Sequence, residues 1–191
     1  LPLLKNAGSR SFRARTRTRT RTRGGGIGYH STEGTDVVTL ESHQTTAVAH
    51  PNIALVKYWG KRNAERNVPA VGSLSITLDG LTTTTTVRVS PELDHDEFVL
   101  DGREAPAMAG RVTACLDRLR SLTGRHEFAF VESENDFPTG AGLASSASGF
   151  AALVVAADAA FGSGLDRAEL ADLARQSSGS AARSLHGGFV E

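Results

Sequence analysis

The chain has almost nothing with which to staple or anchor itself. A single cysteine, Cys115, stands among 191 residues. That excludes an internal disulfide framework and fits a reducing compartment, so a cytoplasmic setting is expected. No apolar run approaches the ~20 residues that a membrane span needs. His50, His126 and His186 show no metal-ligand spacing, and Cys115 has no partner for a zinc site. No Ser-His-Asp pattern is supported by spacing either.

Acidic residues are missing from one region. Residues 1–32 hold eight of the 21 Lys and Arg side chains and none of the 21 Asp and Glu. Residues 33–191 are left with 13 basic against 21 acidic side chains, a net charge of −8 behind a formal total of zero. An acidic body argues against nucleic acid as the main ligand. An anionic ligand would have to be held by a few placed cations and by backbone dipoles. Arg and Thr alternate strictly from Arg15 to Arg23, followed by Gly24-Gly25-Gly26. Like-charge repulsion and the lack of apolar residues leave residues 1–44 as a disordered arm and linker. A nucleic-acid or acidic-surface arm and an organelle transit peptide are the competing readings of that segment.

Folding is expected from about Thr45. Residues 45–50 and 53–59 are β-rich runs separated by Pro51-Asn52, and residues 60–69 read as an exposed polar loop. Residues 73–78 alternate, with Leu74, Ile76 and Leu78 toward the core. The Asp79-Gly80 turn predicts a hairpin from there to the Thr-rich strand 82–90. Residues 97–100 with the Asp101-Gly102 turn form an edge element. Pro106 opens a helix carrying Met108, Val112, Cys115, Leu116, Leu119 and Leu122, and Gly124 ends it. Residues 126–132 read as a strand with Phe128 and Phe130 on one face. A helix is predicted over 145–161. A third begins at the capping pair Asp166 and Glu169 and runs to about Gln176. Residues 187–191 read as the start of a strand, and the domain is expected to continue beyond them.

Three clusters carry candidate chemistry. In the first, Asn52 to Lys61, Lys57 follows apolar neighbours, and a lysine there is either paired or points outward. Tyr58 and Trp59 are more often core than ligand contacts. The second runs from Asn135 to Phe150, Asn-Asp-Phe-Pro-Thr-Gly-Ala-Gly-Leu-Ala-Ser-Ser-Ala-Ser-Gly-Phe. Glycines let backbone approach a ligand, and the first turn of a helix offers unpartnered N–H groups at a positive dipole end. By itself this loop is equally a phosphate cradle and a plain turn before a Ser-capped helix. The third, residues 177–185, puts Ser177, Ser178, Ser180 and Ser184 beside Arg183. That suits a carboxylate or phosphate, or else a polar helix start with a solvated Arg.

Together these segments resemble the diphosphomevalonate decarboxylase family, within the GHMP kinase superfamily. The residues that carry the resemblance are Asn52-Ile53-Ala54 through Lys57-Tyr58-Trp59-Gly60-Lys61, the stretch from Pro69 to Leu78, Asn135 to Ala152, and Ser178-Gly179-Ser180 through Glu191. It spans about residues 45–191. The resemblance implies an α+β domain of the ribosomal-protein-S5 domain 2-like GHMP type, truncated before a C-terminal domain. It implies that ATP, with Mg2+, phosphorylates the tertiary hydroxyl of mevalonate 5-diphosphate. Loss of phosphate and carbon dioxide then yields isopentenyl diphosphate. It further implies Lys57, Asn52 and Arg183 in catalysis, and Tyr58, Lys61, Ser178, Ser180 and Arg183 at the substrate. Gly140, Gly142, Ser145 and Ser146 would serve ATP, with Ser146 reaching the metal through the nucleotide.

His186 stands where the family usually has Tyr or Phe, and Ala182 where Cys is common. The family's catalytic Asp falls in the C-terminal half, and no Asp here is given its role. This piece alone is therefore expected to have little or no activity. A homodimer is the assembly expected of the full-length protein. The rival readings are a superfamily kinase acting on mevalonate or phosphomevalonate, and a non-catalytic binding fragment.

Overall fold

The computed structural model describes residues 43–57, 60–64, 66–139 and 144–191. The Arg/Thr arm, Tyr58, Trp59, Gly140 and Gly142 lie outside the described residues. The described strands are β1 (His43–Ala49), β2 (Asn52–Val56), β3 (Lys61–Asn63), β4 (Val68–Pro69), β5 (Leu74–Thr77), β6 (Thr83–Ser90), β7 (Glu97–Leu100), β8 (Arg103–Glu104), β9 (Phe128–Asn135) and β10 (Phe189–Val190). The helices are α1 (Pro106–Thr123), α2 (Ser145–Phe161) and α3 (Arg167–Ser177), with a 3-10 turn at Ala181–Leu185. The α+β class expected from the sequence is what the structure shows.

A five-stranded sheet in the order β1-β6-β9-β7-β8 carries the helices on one face. It is antiparallel except for the parallel β7–β9 pair. Its covered face is built from small side chains, including Thr45, Ala47, Ala49, Thr85, Val87, Ala129, Val131 and Ser133, all buried. α2 is apolar nearly all round, as a helix enclosed by other elements must be. Its Ala147, Phe150, Ala151, Val154 and Phe161 are buried in the same core. Small residues on both surfaces let helix and sheet approach closely. The Thr45 hydroxyl reaches across to donate to the Ala156 carbonyl.

The local stop and start signals hold. Gly124 caps α1 in the left-handed region at φ 69°. Asp166 and Glu169 form a complete capping box at α3.

Pairing departs from expectation. β5 does not form a hairpin with β6. It lies between β10 and β2 in a separate three-stranded sheet. Two long-range contacts divert the chain after β5. Leu78 N–H donates to Pro51 O at 2.9 Å, and the Asp136 carboxylate takes both the Thr82 N–H at 2.7 Å and the Thr82 hydroxyl at 2.6 Å. The face of β5 is also inverted, because Ser75 is fully buried while Leu74 and Ile76 are half-exposed. Residues 60–69 include a short ladder, β3 with β4, rather than only a loop. Leu122 lies off the core stripe and is exposed.

Phe128 and Phe130 share a face as expected, but it is the less buried one. Ala129 and Val131 fill the core, while Arg120 and Arg88 lie 5.3 and 5.4 Å over the two rings. Arg120 is itself buried, paired with Asp96 and donating to the Glu127 carbonyl at 3.0 Å. That joins the end of α1 to the start of β9.

Cys115 is fully buried under α2, and burial pushes its thiol up to about 11. The thiolate is the reactive form. Cys115 should therefore resist an aromatic disulfide reagent at pH 8 in the folded chain and react fully in denaturant, followed as released thiolate.

Candidate functional site

Three elements from distant parts of the chain meet at one end of α2. β2 supplies Asn52, Ile53 and Ala54, with Lys57 just beyond its last residue. Ala144 stands at the start of α2, and the 3-10 turn region supplies Ser180 and Arg183. Together they line a cleft of about 440 Å3. Among the described residues that line it are two cations and no acid. In a body with a net charge of −8, that local sign is set by placement rather than by composition.

Asn52 organises this meeting. Its side chain is buried at 2% exposure, and its Nδ2 donates to Ser180 O at 3.1 Å and to Ser184 Oγ at 2.7 Å. Both amide protons are thus spent within the protein. Asn52 holds the Ser180–Ser184 segment in place instead of offering those donors to a ligand. Arg183 is buried too, which rules out the solvated arginine of the plain-helix reading. Lys57 is exposed and faces the cleft.

α2 begins unusually. Its N-cap is Ala144, which has no capping side chain and sits in the left-handed region at φ 54°. A Cβ there costs about 1 kcal/mol, so the surrounding structure holds the backbone in that shape. The first turn contains no acid. The Ser-capped start of the plain-turn reading is therefore absent, and the helix's positive end is left without a protein carboxylate in that turn. Ser145 and Ser146 sit in this first turn. They border a mostly apolar cavity of about 140 Å3 with Thr83, Asn135, Phe98 and Met108 among its other walls.

Lys61 and Ser178 lie apart from Lys57 and Ser180. They line a neighbouring hollow of about 400 Å3 with Arg111, Arg118 and Gln176. Lys61 Nζ donates to Asn67 Oδ1 at 2.7 Å. Ser178 Oγ stands 3.5 Å from Ser146 Oγ, which links this hollow to the start of α2. The predicted residues therefore fall into three spaces: the cleft at Ala144, the cavity walled by α2, and the hollow between β3, α1 and the end of α3.

Arg111 was not singled out in the sequence. Its guanidinium donates to Ser177 O at 2.8 Å and lies 4.8 Å over the Phe150 ring. The signal was present: Arg111 is three residues after Met108 and four before Cys115, at the edge of the apolar stripe of α1 although itself exposed. A charged residue at that spacing needs a partner. His186, where the sequence departs from the family's usual aromatic, donates its main-chain N–H to the Arg183 carbonyl at 3.1 Å. Its carbonyl accepts from Thr77 Oγ1 at 2.8 Å.

Residues 49–191 match the family model described as a diphosphomevalonate decarboxylase-like N-terminal domain. The diphosphomevalonate decarboxylase of Ganoderma lucidum is 43% identical over 166 residues, covering 79% of this chain and 42% of that protein. The enzyme of Bos taurus is 45% identical over 162 residues, covering 76% and 40%. A structure of the mevalonate diphosphate decarboxylase from Enterococcus faecalis superposes with a TM-score of 0.73 at 46% identity, covering 78% of this chain and 47% of that one. Another solved structure, described as MDDEF in complex with MVAPP, AMPPCP and magnesium, matches with a TM-score of 0.73 at 46% identity, over 78% and 46%. The chain spans somewhat under half the length of the relatives it matches.

If Asn52 is the strut described above, Asn52→Ala takes the donor from the buried Ser184 hydroxyl and one of two donors from the Ser180 carbonyl, which keeps the Arg183 N–H. The unfolding free energy should fall by about 2 kcal/mol. A lower urea midpoint with an unchanged slope would register it.

Proposed function

The chain belongs to the diphosphomevalonate decarboxylase-like N-terminal domain family, and on that premise we propose that it forms the anion-gripping half of an ATP-dependent decarboxylase of mevalonate 5-diphosphate. In the proposed reaction the tertiary hydroxyl oxygen takes the γ-phosphoryl group of ATP. The new phosphate leaves, the carboxylate departs as carbon dioxide, and its bonding electrons complete the double bond of isopentenyl diphosphate. ADP and phosphate are the other products. Such chemistry asks the protein mainly for positioning and charge neutralisation.

The single observation that carries this reading is the convergence of β2, the start of α2 and the Ser180–Arg183 segment on one cleft with no acid among its described lining residues. Arg183 and Ser180, with Lys57, hold the carboxylate and reacting hydroxyl. Arg183 suits a carboxylate because its planar fork can donate two parallel bonds. Lys61, Ser178 and Arg111 take the diphosphate end, with Tyr58 assigned there by resemblance. Asn52 acts through the segment it holds and is a positioning residue. Gly140, Gly142, Ser145 and Ser146 serve the ATP phosphates. Support for the nucleotide comes from the uncapped, acid-free first turn of α2 and from the relative described with AMPPCP and magnesium.

No group of three or more His, Cys, Asp or Glu that could hold a metal stands together among the described residues. In this reading the Ser146 hydroxyl would serve Mg2+ indirectly, through the bound nucleotide, and the metal would supply charge neutralisation at the phosphates.

Residues 45–191 form the N-terminal domain in this reading, and residues 1–44 an arm outside it. No helix among the described residues is long and apolar enough to cross a membrane. The cytoplasmic setting rests on the single cysteine, and a small-molecule rather than nucleic-acid ligand rests on the acidic body. The homodimer belongs to the same reading of the whole protein.

By calorimetric titration the 191-residue chain should bind mevalonate 5-diphosphate, and Arg183→Lys should weaken that binding about tenfold or more, because lysine lacks the fork. With ATP and Mg2+ added, the chain alone should release little or no carbon dioxide from carboxyl-labelled substrate. Unaltered affinity in Arg183→Lys would contradict the site, and near-normal decarboxylation would contradict the half-site reading.

A further inference from the structure

A line of hydrogen bonds runs from the turn between β7 and β8 to the first turns of α2. Asp101 occupies that two-residue turn at φ 51°, a left-handed conformation that Asp tolerates. Its carboxylate accepts the Asn135 backbone N–H at 2.9 Å and the Thr139 hydroxyl at 2.6 Å. Burial opposes the charge, but these donors outweigh it and hold the Asp101 carboxyl below its ordinary range.

An ionised carboxylate only accepts, so the Thr139 proton is committed to it. The Thr139 oxygen then receives the Asn135 Nδ2 donor at 2.7 Å. That turns the Asn135 Oδ1 toward Thr83, whose hydroxyl donates to it at 2.6 Å. With that proton committed, Ser148 Oγ is left to donate, and its one proton has two acceptors in reach, Thr83 Oγ1 at 2.7 Å and the Ser145 carbonyl at 3.2 Å. Ser148 is fully buried, and it lies one turn into α2, just after Ser145 and Ser146. Each bond therefore sets the direction of the next, and Asn135, the one amide in the line, joins the Thr139 and Thr83 hydroxyls through two separate side-chain atoms.

We propose that Asn135 is the positioning residue of the nucleotide end of this domain: it ties Thr139, which precedes residues 140–143, to Ser148, which follows them, and so fixes where Ser145 and Ser146 present their hydroxyls. This rests on the reading of those serines as nucleotide contacts. The same side chains, Thr83, Asn135 and Thr139, form part of the wall of the cavity that Ser145 and Ser146 border. A shift in the line therefore moves the wall and the serines together.

Two independent cuts test it in the 191-residue chain. Asn135→Asp keeps the shape but puts an acceptor against the Thr139 oxygen. Thr83→Val removes the hydroxyl shared by Asn135 and Ser148, and Thr83→Ser gives it back. Binding of ATP with Mg2+ is measured beside amide hydrogen exchange. Asn135→Asp and Thr83→Val should each weaken binding about tenfold. Both should also speed exchange in the first two turns of α2 while α3 exchanges as before, and Thr83→Ser should match the wild type. Unchanged affinity, or exchange that quickens equally in α3, overturns the proposal. If the wild-type chain binds no ATP, the nucleotide reading fails, and the exchange pattern alone decides the positioning role: a local speed-up keeps it and any other pattern removes it.

Discussion

The close packing of α2 on β1 and β6 is the constraint from which the rest follows. A helix with Ala147, Ala151, Ala156, Ala157 and Ala160 meets a sheet face of Ala47, Ala49, Thr85 and Val87, and all of these are buried. Interiors are packed like organic crystals, so such a seam admits few changes in side-chain volume. Once α2 is seated, its N-terminus has one possible location, at the end of the sheet where β2 and the Ser180–Arg183 segment also arrive. The position of the site is thus a consequence of core packing, and its chemistry is carried by residues that the core does not use.

The site answers an electrostatic problem posed by composition. The body is acidic, yet its ligand in the proposed reaction is an anion. The structure meets this locally. Lys57 and Arg183 face one cleft, Lys61, Arg111 and Arg118 line the next hollow, and α2 starts with no acid in its first turn. The end of β2, β3, α1 and the 3-10 turn deliver these cations, and neutral side chains hold some of the delivering segments in place. Asn52 holds the Ser180–Ser184 segment, and Asn135 with Thr83 holds the start of α2. Uncharged amides suit this work, since they can donate and accept at once and add no charge to the cleft.

Much of this was legible in the sequence because it is local. The extent of α2, the Gly124 stop and the Asp166–Glu169 capping box depend on residues within a turn or two. The three chemical clusters were readable as residue types suited to anions, although each was ambiguous alone. Strand partnership was not readable. Asp79-Gly80 proposes a hairpin, but Asp136, more than fifty residues away, captures Thr82 and sends β6 to another sheet. The inverted face of β5 follows from the same rearrangement, because Ser75 lies where the small sheet meets the body. The role of Asn52 as a strut needed the Ser184 hydroxyl in place, and Arg111 was hidden by its position in a helix read only for its apolar stripe.

The central claim is that three segments distant in sequence form one anion-binding surface around the start of α2. Titrating mevalonate 5-diphosphate into the isotopically labelled chain and following its backbone amide resonances tests this most directly. The account predicts that the largest shifts cluster at Ala54, Lys57, Lys61, Ser178, Ser180 and Arg183, with the exposed ladder of β7 and β8 unmoved. Shifts confined to one of the three segments, or concentrated on the far side of the five-stranded sheet, would contradict it.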